Sequence, residues 1–287
     1  MSERIKAWNI EPLQKAILGV FREFEKVCER HGLRYFAIGG TALGAVRHQG
    51  FIPWDDDLDV AMPREDYDRF LRIANDELPC NLRIFRGGET KDSPIFFSKI
   101  LDVSEGVVQK LKSETNLDIT TPPFVDIFVL DGLPDEVKEV GKWWHARRCV
   151  RMCQIYRYPQ SAGAAGGLRG RLKKYVAALV GALLSPFYPA TKSNADMMRL
   201  FDECARRWPY ATSVVVTEPA FFRFKLSRVF HKSVFEPARS VPFEDGTICV
   251  PAKVEEYLTQ YYGNYMELPP KEHRIPEHVM KRAFAHA

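Results

Sequence analysis

The sequence has no cysteines at metal-finger or redox spacing. Six cysteines occur in 287 residues. None forms a Cys-x-x-Cys pair, which argues against a zinc ribbon or a thioredoxin-type centre. His145, Cys149 and Cys153 could share one helix face, but no obvious fourth ligand stands nearby. Reduced thiols in a cytoplasmic protein are the simpler reading. Long apolar runs are also missing: no stretch reaches the ~20 residues needed to span a bilayer. The opening MSERIKAWNIEP has no apolar core, so no secretory leader is expected. Charge of one sign is lacking too. The net charge of +4 is too mild to argue for nucleic acid, and no nucleic-acid partner is expected, although anionic substrates are compatible. Internal repeats are absent, and Ser161 to Gly170, rich in glycine and alanine, reads as a flexible loop. What remains is an ordinary globular composition, 46% hydrophobic and 27% charged, long enough for one elaborated domain or two.

The informative stretch runs from Tyr35 to Tyr67. Tyr35 to Ile38 is apolar and predicts a short strand, which Gly39-Gly40-Thr41 breaks. Ala42 to His48 predicts a helix, with Arg47 and His48 in its last turn and Gly50 placed to end it. Asp57 to Met62 alternates polar with apolar residues and predicts a second strand. Side chains at i and i+2 share a strand face, so Asp57 and Asp59 are expected to point the same way. Two carboxylates on one face repel each other unless a cation lies between them. Mg2+ (or Mn2+) suits such a pair, since it takes hard oxygen ligands and is shared with substrate phosphates. Gly39, Gly40 and Thr41 supply the phosphate side: two glycines let backbone approach a ligand, and a helix beginning at Thr41 directs N–H groups and a positive dipole end outward. A Gly-Gly alone is usually a turn, and an Asp-x-Asp alone is usually a solvated loop. Together, with Asp55 and Asp56 adding further negative charge, they predict a site for phosphoryl or nucleotidyl transfer.

Gly-Gly, a short helix and then Asp-x-Asp on the next strand resembles the nucleotidyltransferase superfamily. The longer run GTALGAVRHQGFIPWDDDLDVAMPREDYDRF resembles the LicD family, which includes bacterial phosphocholine transferases and relatives of fukutin and fukutin-related protein. The likeness continues in Phe124 to Phe128. It returns near the C-terminus in Val250-Pro251, Tyr257-Leu258, Tyr262 to Met266 and Pro269-Pro270, and is thin between about Asp135 and Val241. The resemblance implies a CDP-activated donor, CDP-choline or a CDP-polyol, a hydroxyl on a glycan or glycolipid as acceptor, and CMP as leaving group. It also implies a third carboxylate from a later strand, and Asp126 is the residue in that position. A carboxylate inside so apolar a strand is costly unless paired or metal-bound. The expected metal ligands are therefore Asp57, Asp59 and Asp126, with Asp126 or a neighbour available to take the acceptor proton. Arg47, or else Lys99, would offset the remaining negative charge, although Lys99 reads first as a solvated edge lysine.

The expected fold is α/β (α+β): a mixed sheet of the nucleotidyltransferase type flanked by helices. Residues 1–134 would form the catalytic core, and residues 135–287 a helical extension with a C-terminal segment packing on it. Amphipathic helices are predicted over Glu11 to His31 and Arg64 to Leu78. Strands are predicted over Asn81 to Phe85, Ile95 to Val103 and Phe124 to Leu130. Gly106 to Leu111 could pair with the second of these, and Asp131-Gly132 would turn the chain out of the third. Asp135 to Tyr158 reads as a basic, aromatic helix. Residues 169–188 join a basic run to an apolar one. Val176 to Phe187 reads first as a buried helix and alternatively as a peripheral contact at the inner face of a membrane. Asn194 to Trp208 is a further helix, Val241 to Val250 a hairpin about Gly246, and Ala252 to Tyr262 a helix ending at Gly263. The tail through Arg274 and His278 would fold back toward the site.

Two other enzymes and one non-enzyme fit parts of this pattern. A nucleotide-sugar glycosyltransferase uses Asp-x-Asp with a metal, but a Gly-Gly helix so close upstream is not expected there. A phosphatase of the Asp-x-Asp-x-Val type needs an apolar strand before its first aspartate, where Pro53 to Asp56 stands instead. A non-catalytic scaffold of the same fold would have no need of Asp57, Asp59 and Asp126.

Overall fold

The computed structural model describes residues 9–87, 97–115, 117, 119–134, 175–176, 179, 199, 202–218 and 228–276. The chain divides into two compact units: Met1–Phe85 with Lys99–Val129 and Phe230–Ala287, and Arg86–Ser98 with Leu130–Val229. The C-terminal segment thus belongs to the same unit as the Gly-Gly and Asp-x-Asp motifs.

The first unit begins with α1 (Glu11–His31), which carries Pro12 in its first turn and ends on Gly32 in the left-handed conformation, φ 61°. Its face of Leu13, Ile17, Val20, Phe21, Phe24 and Val27 is buried. Phe24 meets Phe70 of α3 (Arg64–Glu77) edge-on at 5.1 Å and Tyr35 at 5.3 Å. Burying side chains of this size is worth roughly 1.5–3 kcal/mol each and holds these elements together.

A mixed sheet lies at the centre. Its strands run in the order β1 (Phe36–Ala37), β2 (Asp59–Pro63), β5 (Phe124–Leu133), β4 (Ser98–Asp102) and β3 (Leu82–Phe85). β1 pairs antiparallel with β2, and β3 with β4. Every residue of β5 is buried, which explains its nearly unbroken apolar sequence. Between β1 and β2 lie α2 (Gly39–His48) and the loop to Leu58. The chain re-enters this unit along β7 (Val229–His231). The hairpin of β8 (Arg239–Phe243) and β9 (Gly246–Val250) closes through Glu244 and Asp245. It is joined to α1 by Arg22, which donates to the carbonyls of Thr247 (2.8 Å) and Phe243 (3.2 Å). α5 (Val254–Tyr262) follows. Phe235 and Tyr257 pack against Phe230, at ring distances of 5.6 and 5.1 Å.

Several expectations are revised. α2 starts at Gly39, not after Thr41, and Gln49 rather than Gly50 takes the left-handed turn at its end, φ 56°. Gly50 instead packs against the Glu244 side chain, whose Oε1 would lie 2.2 Å from a Cβ placed there. Residues 106–111 do not form a strand. Gly106, at φ 78°, opens α4 (Val107–Glu114), whose Leu111 is buried. β4 lies inside the sheet between β5 and β3, so Lys99 is not an edge lysine. Asp131 and Gly132 continue β5 instead of leaving it.

In the second unit, Asp131 to Leu133 pair antiparallel with β6 (Val215–Thr217). A Cβ on Gly132 would lie 2.1 Å from Ser213 Oγ, so only glycine fits. Val176 and Leu179, expected within a buried helix, are 52% and 63% exposed. The predicted helix over Asp135 to Tyr158, with His145, Cys149 and Cys153, lies outside the described residues. So do residues 194–198 and 200–201 of the helix over Asn194 to Trp208, and the tail position His278.

Candidate active site

Three elements fix Asp59, the first residue of β2. Its N–H donates to the Thr41 hydroxyl at 2.8 Å, and its carbonyl accepts from the Ile38 N–H at 3.1 Å. Beside it, the Leu58 carbonyl accepts from the Asp126 N–H at 2.9 Å, which brings β5 alongside. Thr41 is 3% exposed. Its side chain therefore anchors the aspartate strand.

Asp57 lies just before β2, and burial alternates through Asp56, Asp57, Leu58 and Asp59, with Asp57 and Asp59 the two less buried. The Asp57 charge acts on Asp59. Burial, followed by the charges of Asp57, Asp126 and Asp55, pushes the Asp59 carboxyl well above the usual carboxylate range, against the opposing pull of Lys99. Among the described residues, the three acidic groups whose oxygens all lie within 4.8 Å of one another are Asp55, Asp56 and Asp57. Asp126, 3% exposed, is held by Lys99, whose ammonium lies 2.5 Å from its Oδ1 and 3.7 Å from the centre of the Phe124 ring. A donor set of clustered carboxylate oxygens with excess negative charge fits a hard divalent cation.

The glycines form the back of this cluster. A Cβ on Gly39, whose φ is +53°, would lie 3.4 Å from Asp59 Oδ2 and 3.8 Å from the Tyr262 hydroxyl; one on Gly40 would lie 2.8 Å from Asp55 Oδ2. The positive φ lets α2 begin straight from the strand with no linker. The Gly39 N–H donates to the Tyr257 hydroxyl at 2.9 Å. The first turn of α2 therefore has at most the N–H groups after it to offer a ligand. Arg47, at the other end of α2, donates to the carbonyl of Tyr265 at 2.8 Å and lies beside His48, 3.0 Å from Nε to Nε2.

Sequence reasoning missed three supports. Gln14 donates from α1 to the carbonyls of Ile52 and Asp55, both at 3.0 Å, and so fixes the aspartate loop. Glu244 accepts from the Phe51 N–H at 2.8 Å. Tyr257 caps Gly39. Gln14 and Glu244 carried no motif. Tyr257 lay within a segment of family likeness that pointed to it without assigning a role.

Comparison with known proteins agrees with this geometry. Residues 32–130, from just after α1 into β5, match the family profile LicD/FKTN/FKRP, nucleotidyltransferase domain. The chain is 27% identical over 282 residues to the lipopolysaccharide cholinephosphotransferase LicD of Haemophilus influenzae, covering 96% of this chain and 98% of that protein. It is 39% identical over 59 residues to the human ribitol 5-phosphate transferase FKRP, covering 21% of this chain and 12% of that protein. The stretch that includes the glycine turn and the aspartates is where the profile applies, so residues 32–130 match a LicD-type nucleotidyltransferase domain.

Proposed function

We propose that this protein transfers a phosphate-linked alcohol, phosphocholine or a polyol phosphate, from a CDP-activated donor to a hydroxyl of a glycan or glycolipid, releasing CMP. The observation that carries the reading is the gathering of Asp55, Asp57 and Asp126 around the Asp59 carboxyl, against the ledge of Gly39 and Gly40. Similarity over nearly the whole length of a cholinephosphotransferase supports it.

Asp57 and Asp59, with Asp55 and Asp126 adjacent, would hold Mg2+ or Mn2+. Such an ion neutralises charge on a diphosphate and its leaving group. The protein's own part is positioning. Thr41 and Ile38 set the height of Asp59, Gln14 sets the loop carrying Asp55, and Lys99 sets the rotamer of Asp126. Gly40, partly exposed, lets the first turn of α2 approach a phosphate oxygen. Arg47 adds positive charge at the far end of that helix. In phosphoryl transfer such placement and electrostatics supply most of the catalysis.

No helix among the described residues is long and apolar enough to cross a membrane. Exposed Tyr175, Val176 and Leu179 support peripheral contact through 169–188 where the acceptor is lipid-linked, which would place the enzyme in the cytoplasm at the inner face of a membrane. The deciding experiment is incubation with a panel of CDP-alcohols and Mg2+, following CMP. Release dependent on acceptor and metal is expected; sugar nucleotides consumed in their place would give the reaction to a glycosyltransferase.

A further inference from the structure

A second charged cluster lies next to the carboxylates and carries the opposite sign. It starts at Tyr262, whose hydroxyl shares the Gly39 ledge with Asp59 Oδ2. Arg47 and Arg274 lie beyond it. Arg47 is held by the Tyr265 carbonyl at 2.8 Å and lies against His48. The His48 ring meets Trp54 edge-on at 6.4 Å, and the Arg274 guanidinium lies over the Trp54 ring at 5.5 Å. Arg274 is fixed in turn by donating from Nε to the Pro269 carbonyl at 2.9 Å. Arg47, His48, Trp54 and Arg274 thus form a continuous run, and Trp54 is the immediate neighbour of Asp55.

Two guanidinium groups close together are unfavourable. Burial, and then the Arg274 charge, disfavour the charged form of Arg47, with Tyr262 opposing. Burial and Arg47 also hold His48 below its usual range. Among the described residues, the Arg47 and Arg274 guanidinium groups meet carbonyls, a histidine and an aromatic face, none of which carries a negative charge. An anion between the two relieves this repulsion, and a planar guanidinium with several donors suits phosphate oxygens.

We infer that Arg274, delivered by the C-terminal segment, acts with Arg47 as an anion subsite that binds the phosphates of the nucleotide donor beside the carboxylate cluster. The inference rests on the donor reading given under Proposed function and extends it to a specificity-determining residue outside the family profile. Trp54 orients the Arg274 guanidinium through its ring face. The same two positive charges disfavour a quaternary ammonium at this position, so the alcohol head group lies elsewhere.

The test is calorimetric titration of CDP with Mg2+ present, together with steady-state kinetics on the CDP-alcohol that releases CMP. R274Q is expected to weaken CDP binding about tenfold, as removal of one charge-assisted hydrogen bond does. It should raise KM for the donor more than it lowers kcat. R274K retains the charge without the fork and should lie between R274Q and wild type. KM for the acceptor should not change. CDP affinity equal to wild type in R274Q, or a change confined to the acceptor KM, overturns the inference. If no CDP-alcohol releases CMP, the donor reading fails on its own. Pyrophosphate then replaces CDP: binding by wild type that weakens in R274Q upholds the anion subsite, and equal binding, or none to wild type, overturns it.

Discussion

Asp59 is a side chain whose charged form is unfavourable in the fold and which the proposed function requires. Its carboxyl is raised by burial and by the charges of Asp57, Asp126 and Asp55. A carboxyl raised in the folded state contributes stability at low pH, where it is protonated, and loses that contribution as pH rises through the raised value. Asp59→Asn should therefore melt higher than wild type without metal, by about 2–4 °C for about 1 kcal/mol. The gap should widen from acid toward neutral pH and close when Mg2+ is added, while transfer is lost. A variant that melts below wild type at neutral pH without metal would show that Asp59 is not held by repulsion. Lys99 is the complementary case. Replacing it by Met removes the ammonium from Asp126, which is 3% exposed. Breaking a buried ion pair from one side costs about 3–5 kcal/mol, so urea melts should show a loss of that order. Lys99→Met with Asp126→Asn should recover most of it.

Helix α2 shows which parts of an element its sequence reveals. The strand, glycines, helix and aspartates were all legible as an order. The start of the helix was not, because Gly39 at φ +53° turns strand into helix within one residue. Residues 107–114 misled through the β-branched pair Val107-Val108, although Gln109 to Glu114 are good helix formers and Gly106 supplies a left-handed start. Asp131-Gly132 read as a turn because the partner that keeps it in a strand, Val215–Thr217, lies far away in sequence. Two glycines of α2 separate function from packing. A Cβ on Gly44 would lie 2.5 Å from the Gly50 carbonyl oxygen and 3.2 Å from the Ile52 nitrogen, both backbone atoms that cannot step aside. Gly44→Ala should lose about 1–3 kcal/mol, as overpacking does. Gly40→Ala meets only the end of the Asp55 side chain, and alanine favours the helix by about 0.5–1 kcal/mol. It should keep its stability and lose activity as Asp55 is displaced. Thermal melts and CMP release measured on both variants check the contrast.

Across the whole chain, the glycine turn depends on residues more than 200 positions away. The segment after Phe230 returns to the first unit. Tyr257 accepts the Gly39 N–H. Phe235 packs edge-on against Phe36 of β1 at 5.3 Å, and Phe243 against Phe51 at 5.2 Å. Arg22 binds α1 to the hairpin through two carbonyls. A boundary after residue 134 therefore cuts through a core. In a fragment of residues 1–134, Phe36 and Phe51 have no aromatic partner from this segment, the Gly39 N–H has no tyrosine acceptor and the Phe51 N–H is without Glu244. Each buried polar group left without a partner costs about 1–3 kcal/mol, and the missing aromatic packing adds to this. The total is comparable with the 5–15 kcal/mol that stabilises a typical domain. The fragment should thus lack a cooperative thermal transition and expose apolar surface to a hydrophobic dye. Adding residues 230–287 as a separate chain should restore part of the transition. A cooperative melt from residues 1–134 alone would show that the aromatic rings of the C-terminal segment decorate a domain that is already complete.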